Sequence, residues 1–207
     1  MHELRTPALI LDRARLQVNL DRMAARATSL GVNLRPHMKT AKCLDVARLA
    51  TKGQAGGITV STLAEAEYFA RAGFTDILYG VGITPDKLAG VSAVQALGAE
   101  VILILDNPDT ARLVVERAGA QGGACRFLIE IDCGQHRTGL LPDDPRVLEC
   151  ARIIVEGTNC ELRGVMTHAG HSYDCDTTDA ARVVAEDERA AVVAAAETLR
   201  GAGVPCP

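Results

Sequence analysis

Short apolar runs alternate with longer segments of helical periodicity along the chain. The run Val101–Leu105 is apolar at every position, which is typical of a strand that is covered on both faces in a parallel sheet. An earlier run, Pro7–Leu11, is a candidate strand of a different sheet. The remaining runs predict further parallel strands at Leu34–Met38, Gly57–Ser61, Asp76–Tyr79, Arg126–Ile131 and Leu162–His168.

The segments between these runs carry signals for the ends of helices. Asp12 is a predicted N-cap, and Gly31 is the predicted stop of the same helix. Thr62 and Glu65 have the spacing of a capping box, and the last long helix is predicted from Thr178 to about Arg200. The first helix has one apolar face, formed by Leu16, Leu20, Met23, Ala27 and Leu30.

Alternating strands and helices indicate an α/β fold built from right-handed parallel units. A doubly wound sheet and a (β/α) barrel both agree with this pattern. Six strand–helix units follow the first helix, whereas a closed barrel needs eight. The chain ends at Val204–Pro207, in what resembles the lead-in to another strand. We therefore expect a fold that is incomplete in this chain.

Composition and charge exclude several classes of function. The chain has 207 residues, is 48% hydrophobic and 23% charged, and has a net charge of -4. It contains no long apolar run for a membrane span, and Met1–Arg5 lacks the apolar core of a signal peptide. The chain has no basic clusters and only 3% aromatic residues, so nucleic acid is not an expected partner. Seven cysteines without a C-x-x-C pair favour reduced thiols and a cytoplasmic location.

The candidate chemistry follows the ends of the predicted strands, where parallel α/β folds bind their ligands. Lys39, one of four lysines, directly follows the first run. We expect it to be partly buried, with a neutral amine that can attack an aldehyde to form a Schiff base. Arg137, bracketed by Gly134 and Gly139, follows the fifth run, and its neighbour His136 is expected to play a structural part.

The sixth run ends in a polar segment, Thr167–Asp176, which contains His168, His171 and Tyr173. Histidine, cysteine and aspartate are all metal ligands, but this segment lacks a zinc-type spacing. Ser172 lacks the G-x-S-x-G context of a nucleophilic serine, and the chain has no Gly-rich phosphate loop of the nucleotide-binding type.

These segments together resemble one family. In order and spacing they are similar to the fold-type III enzymes that use pyridoxal 5'-phosphate, and within these to the D-threonine aldolase and D-serine dehydratase family. The resemblance covers essentially the whole chain. It rests on Arg35–Thr40, Gly57–Thr62 with Glu65–Glu67, Asp76–Tyr79, Glu130–Gly139 and Thr167–Tyr173.

The resemblance implies a fold, a domain and a set of site residues. Residues 1–207 would be a truncated N-terminal barrel domain of the alanine racemase type, an incomplete (β/α)8 TIM-type barrel without the C-terminal β domain. Lys39 would hold the cofactor as a Schiff base, and Arg137 would face its pyridine nitrogen. The side chains that would line the cofactor are His168, Tyr173, Thr59 and Ser61.

The resemblance also implies a reaction and its partners. The expected activity is that of a lyase on D-3-hydroxy amino acids, with D-threonine aldolase, which releases glycine and an aldehyde, ranked first. D-serine dehydratase is the second candidate, and a non-catalytic carrier of pyridoxal phosphate is the candidate from another class. A divalent metal, Mn or Zn, is expected in the full-length family, with ligands outside these residues. The full-length protein is a candidate homodimer. The truncated chain by itself is a candidate inactive fragment.

Overall fold

The computed structural model describes residues 5–54, 57–121 and 124–207. Its five strands form one parallel sheet in which each strand pairs with the next strand of the chain. A doubly wound sheet would reverse its strand order at a switch point, so this order favours an arc of a barrel. The strands are β1 (Ile58–Val60), β2 (Asp76–Gly82), β3 (Glu100–Leu105), β4 (Cys125–Ile131) and β5 (Cys160–Thr167).

Helices separate the strands, which confirms the predicted α/β alternation. Two short 3-10 helices, Pro85–Lys87 and Gly170–Asp174, follow β2 and β5. The α-helices are α1 (Arg13–Leu30), α2 (Leu44–Thr51), α3 (Leu63–Arg71), α4 (Leu88–Gln95), α5 (Pro108–Gln121), α6 (Pro145–Glu156) and α7 (Thr178–Gly201). None of the helices within the described ranges is long and apolar enough to cross a membrane.

The predicted helix ends are confirmed by their hydrogen bonds. The carboxylate of Asp12 accepts the backbone N–H of Arg15 at the start of α1, and Gly31 ends this helix in the left-handed conformation. Thr62 accepts the N–H of Glu65 at the start of α3. The last helix extends one residue beyond the predicted Arg200.

The two faces of the sheet carry two apolar clusters. Successive side chains of a strand point to opposite faces, so Leu103 of β3 belongs to the larger cluster, together with Phe127 and Phe69, under the helices. Ile102 and Ile104 of the same strand belong to a smaller cluster with Leu78 on the other face. The residues of β3 are thus covered on both sides, as the uninterrupted apolar run Val101–Leu105 predicts.

Two predicted strands differ from the structure. Leu34–Met38 forms only a one-residue parallel bridge, between His37 and Thr59, because the segment lies beyond β1 at the edge of the sheet and has no second neighbour. Pro7–Leu11 is exposed and forms no strand within the described residues. Leu34–Met38 thus pairs with β1 only around His37, and Pro7–Leu11 pairs with no strand of the described residues.

Candidate active site

The carboxyl ends of the strands bring most of the predicted site residues to one edge of the sheet. Lys39 follows the bridge to β1, and Ser61 follows β1 itself. Arg137 lies in the loop after β4, and His168 directly follows β5. This is the edge at which parallel α/β folds bind ligands.

Lys39 is exposed, which corrects the predicted partial burial of its amine. The preceding residue, Met38, is buried in the core and holds the segment against β1 through a 2.8 Å bond from its N–H to the carbonyl of Thr59. Lys39 itself follows the outermost bridge of the sheet, where no described element packs beyond it. The described residues therefore fix the backbone at Lys39 and leave its side chain accessible.

His37 joins Lys39 to the neighbouring strand, and the sequence analysis did not single it out. The backbone N–H of Lys39 donates to His37 Nδ1 at 3.3 Å, and His37 Nε2 lies 3.4 Å from Ser61 Oγ. Because Nδ1 accepts a hydrogen bond, the neutral ring carries its proton on Nε2, which then donates to Ser61. Burial and the charge of Lys39 lower the pKa of His37, so this neutral form is favoured.

Glu65 fixes the two loops on either side of this contact. Its carboxylate accepts the backbone N–H of Ser61 at 2.9 Å and forms an ion pair with Lys42 at 3.0 Å. Burial alone would raise the pKa of Glu65, but these bonds outweigh it and hold the pKa below its usual value. Glu65 thus ties the loop that contains Lys39 to the loop that contains Ser61.

His168 offers an unused ring nitrogen at the same edge. Its Nδ1 is buried and has no hydrogen-bond partner within the described part of the chain. Burial and the charges of Arg137 and Lys39 lower the pKa of His168, so its neutral form is favoured. A buried polar atom without a partner is rare in proteins and is expected to bind a group from outside the chain.

The other predicted site residues differ in their support. Thr59 is buried, and a Cβ at Gly80 would come within 2.8 Å of its Cγ2 and 3.7 Å of His37 Nε2, so this face of the sheet has little spare room.

Arg137 is exposed, and its neighbour His136 is bonded to Asp132, in agreement with the structural part predicted for His136. Tyr173 is 82% exposed on the short helix after β5 and touches none of the other site residues within hydrogen-bond distance.

The lowered pKa of His37 predicts how stability depends on pH. Between the lowered pKa and the usual value of 6.5, the unfolded chain binds more protons than the folded chain, so the free energy of unfolding should fall as the pH drops through this interval. The variant His37→Gln removes this titration and should flatten the curve. Urea midpoints of parent and variant at about pH 7.5 and 5.5 measure the effect. Parallel pH curves for the two proteins would contradict it.

The sheet order and the cationic side chains at its carboxyl edge define a parallel α/β fold with a candidate ligand site at that edge. The sequence profile of the family described as "Alanine racemase, N-terminal domain" matches residues 11–207. The chain therefore belongs to the alanine racemase N-terminal domain family, within the fold-type III enzymes that use pyridoxal 5'-phosphate.

Three relatives illustrate this membership. The solved D-threo-3-hydroxyaspartate dehydratase from Delftia sp. HT23 is 45% identical, covers 99% of this chain and 54% of its own, and superimposes with a TM-score of 0.94. The D-threonine aldolase from Filomicrobium marinum is 30% identical, covers 97% and 54%, and has a TM-score of 0.87. The D-serine dehydratase of Dictyostelium discoideum is 31% identical over 91% of this chain and 51% of its own. The chain spans about half the length of these relatives.

The residues at this edge fit the family's cofactor in their chemistry. Pyridoxal 5'-phosphate carries an aldehyde, a phenolic oxygen and a ring nitrogen, and the edge offers an accessible amine on Lys39, an unpaired buried nitrogen on His168 and a cation on Arg137. By contrast, no group of three or more His, Cys, Asp or Glu side chains in the described ranges could hold a metal ion.

Proposed function

We propose that this chain provides the cofactor-binding half of a lyase that eliminates water from a D-3-hydroxy amino acid. The observation that carries the proposal is the accessible side chain of Lys39, whose backbone N–H is bonded to His37, at the same edge of the sheet as the unpaired nitrogen of His168. The 45% identity to a D-threo-3-hydroxyaspartate dehydratase, against 30% to a D-threonine aldolase, favours elimination over the aldol cleavage that the sequence analysis ranks first.

Lys39 would act twice in this reaction. Its amine would bind the aldehyde of the cofactor, and after release it would accept the proton from Cα of the substrate on Nζ. When bound, pyridoxal 5'-phosphate supplies a ring that delocalises the electron pair left on Cα. The β-hydroxyl then leaves with a proton as water, and hydrolysis of the product gives a 2-oxo acid and ammonia. His37 would keep Lys39 in place through the backbone bond described above.

Arg137 would face the pyridine nitrogen of the cofactor. Arginine remains charged at every accessible pH, so a guanidinium at this position disfavours protonation of the ring nitrogen. An unprotonated ring withdraws electrons less strongly, and the developing charge at Cα then depends more on the surrounding donors. Arg137 would thus determine how much of the charge that develops on Cα must be stabilised by protein groups rather than by the cofactor ring.

The remaining site residues would line the cofactor. His168 has the strongest support among them, because its Nδ1 has no partner in the described chain. Ser61, directly after β1, lies beside His37, and Thr59 within β1 accepts the backbone N–H of Met38. Tyr173 has the least support, because its side chain is 82% exposed. A divalent metal, Mn or Zn, would polarise the leaving hydroxyl in the full-length protein, with ligands from beyond these residues.

The two lyase reactions are separated by their products. We expect the full-length protein, loaded with pyridoxal 5'-phosphate and supplied with Mn²⁺ or Zn²⁺, to release ammonia and a 2-oxo acid from D-threo-3-hydroxyaspartate or D-serine. D-Threonine should yield little glycine or acetaldehyde. The assay measures ammonia, glycine, the aldehyde and the 2-oxo acid with each substrate, and it identifies the 2-oxo acid, because 3-hydroxyaspartate gives oxaloacetate by elimination but glyoxylate by aldol cleavage. The corresponding L-amino acids serve as controls.

The 30% identity to the Filomicrobium marinum enzyme keeps D-threonine aldolase as the second candidate. Glycine and an aldehyde as the main products would support it and would contradict elimination. Bound cofactor without turnover of any of these amino acids would instead support the non-catalytic carrier of pyridoxal phosphate.

A further inference from the structure

The loop after β4 is closed on itself and carries Arg137. Residues 132–140, here called the Arg137 loop, leave the sheet and return to it. The N–H of Asp132 donates to the carbonyl of Leu140 at 2.8 Å, and the N–H of Leu140 donates to the carbonyl of Glu130 at 3.0 Å. Both ends of the loop are therefore fixed to the same strand, with Arg137 between them.

The carboxylate of Asp132 holds the first half of the loop. It accepts the backbone N–H groups of Gly134 at 2.9 Å and His136 at 3.0 Å, and it also bonds His136 Nδ1 at 2.8 Å. Asp132 is 9% exposed, and burial alone would raise its pKa. The bonds from Gly134 and His136 outweigh this effect and hold the pKa of Asp132 below its usual value, so the carboxylate is charged.

Two further carboxylates hold the second half of the loop. Thr138 Oγ1 donates to the buried Glu130 at 2.8 Å, and the N–H of Gly139 donates to Asp106, at the end of β3, at 2.8 Å. Gly139 has a φ of +92°, and a Cβ there would lie 2.7 Å from the backbone N of Asp132. Only glycine allows the returning chain to approach the strand this closely.

Arg137 forms no ion pair within the described residues, although three carboxylates surround its loop. Each of these carboxylates already accepts at least one donor from the loop: Asp132 from residues before Arg137, and Glu130 and Asp106 from residues after it. The guanidinium is exposed and keeps its donors for a partner outside the loop.

We propose that Asp132, Glu130 and Asp106 are positioning residues for Arg137. They bind the backbone and hydroxyl donors on both sides of the arginine, and so hold it at the edge of the sheet without neutralising it. This inference rests on the proposed function, because it assumes that Arg137 faces the ring nitrogen of the cofactor. The geometry makes the loop a preorganised support whose rigidity sets the position of the cation.

The test compares matched variants of the full-length, cofactor-loaded protein in two measurements. Thr138→Val removes the hydroxyl that donates to Glu130, Thr138→Ser keeps it, and Asp132→Asn weakens the first half of the loop. Asp143→Asn changes an exposed aspartate of the same connection and serves as the control. Hydrogen exchange measures the order of the Arg137 loop, and the pH dependence of the cofactor's absorbance measures the protonation of its ring.

Asp132→Asn removes the charge of the group that accepts these hydrogen bonds. We therefore expect amide exchange in the Arg137 loop to be about tenfold faster in this variant. Thr138→Val should show a smaller increase, and Thr138→Ser and Asp143→Asn should match the parent. The absorbance titrations of Asp132→Asn and Thr138→Val should shift toward that of Arg137→Leu, whereas the Thr138→Ser titration should stay at that of the parent. This set of results would support the inference.

Two other results would overturn it, for different reasons. If Arg137→Leu shifts the absorbance titration but Asp132→Asn and Thr138→Val leave it unchanged, the carboxylates do not position Arg137, and the proposed function stands. If Arg137→Leu itself leaves the titration unchanged, Arg137 does not face the ring nitrogen, and this part of the proposed function fails together with the inference.

Discussion

Replacement of Lys39 by alanine is expected to abolish covalent binding of pyridoxal 5'-phosphate and nearly all turnover. Alanine has no amine for the aldehyde of the cofactor and no group that can accept the Cα proton. Loss of a positioned base alone costs about 10²- to 10⁴-fold in rate, and loss of the attachment adds to it. The near-visible absorbance of the dialysed protein and its kcat/KM for a D-3-hydroxy amino acid measure the two effects.

Lys52→Ala is the matched control for this variant. Lys52 is also exposed and lies at the end of α2, outside the site. It should keep the absorbance and the activity of the parent. A persistent near-visible band in Lys39→Ala would contradict the assignment of Lys39, because another amine would then hold the cofactor.

Replacement of Arg137 by leucine is expected to have the second largest effect. Without the fixed cation, protonation of the ring nitrogen is no longer disfavoured, so the absorbance of the bound cofactor should change with pH over a different range. Removal of one preorganised electrostatic group in an active site costs about 10²- to 10³-fold in kcat. Absorbance titration and steady-state kinetics of the loaded protein measure these changes.

Two further variants test whether the effect depends on a guanidinium at position 137 or on the loss of any exposed arginine. Arg137→Lys keeps a cation but loses the planar guanidinium, and we expect an intermediate effect. Arg152→Leu removes an exposed arginine from α6 and should behave as the parent. The same titration curve in Arg137→Leu and in the parent would contradict the assignment of Arg137 to the ring nitrogen.

The fold could be predicted where local signals and burial agree. The caps at Asp12, Thr62 and Gly31 involve residues within five positions of each other, so the chain alone carries the information. The central strand Val101–Leu105 is covered on both faces and is therefore apolar throughout. Leu34–Met38, which contains Arg35 and His37, lies at the edge of the sheet, where pairing depends on a neighbour that the local sequence does not encode.

The candidate site could be predicted in part, for the same physical reason. Lys39 and Arg137 lie in short motifs at strand ends, and the motifs are visible in the sequence. The carboxylates that support them were missed: Glu65 reaches Lys42 from 23 positions away, and Asp106 reaches Gly139 across 33 positions. Such contacts are created when neighbouring strands pair, and an isolated Glu or Asp gives no sign of them.

The exposure of Lys39 shows that a position at the end of an apolar run does not by itself predict burial. A residue at the end of an apolar run is buried only if another element packs over it, and the run before Lys39 is the outermost bridge of the sheet. The proposed reaction of its amine with the cofactor therefore relies on the accessibility of the side chain and on the fixed backbone of His37 and Met38. His37 could have been found from its place in the same motif, two residues before the lysine.

The amine of Lys39 is proposed to hold the cofactor covalently. Borohydride reduction of the loaded full-length protein, followed by proteolysis and mass spectrometry of its peptides, identifies the lysine to which the cofactor is attached. We expect the added mass of the reduced cofactor on the peptide that contains Lys39, and on no peptide that contains Lys42, Lys52 or Lys87 instead. An unmodified Lys39 in protein that has retained its cofactor through reduction would contradict the account.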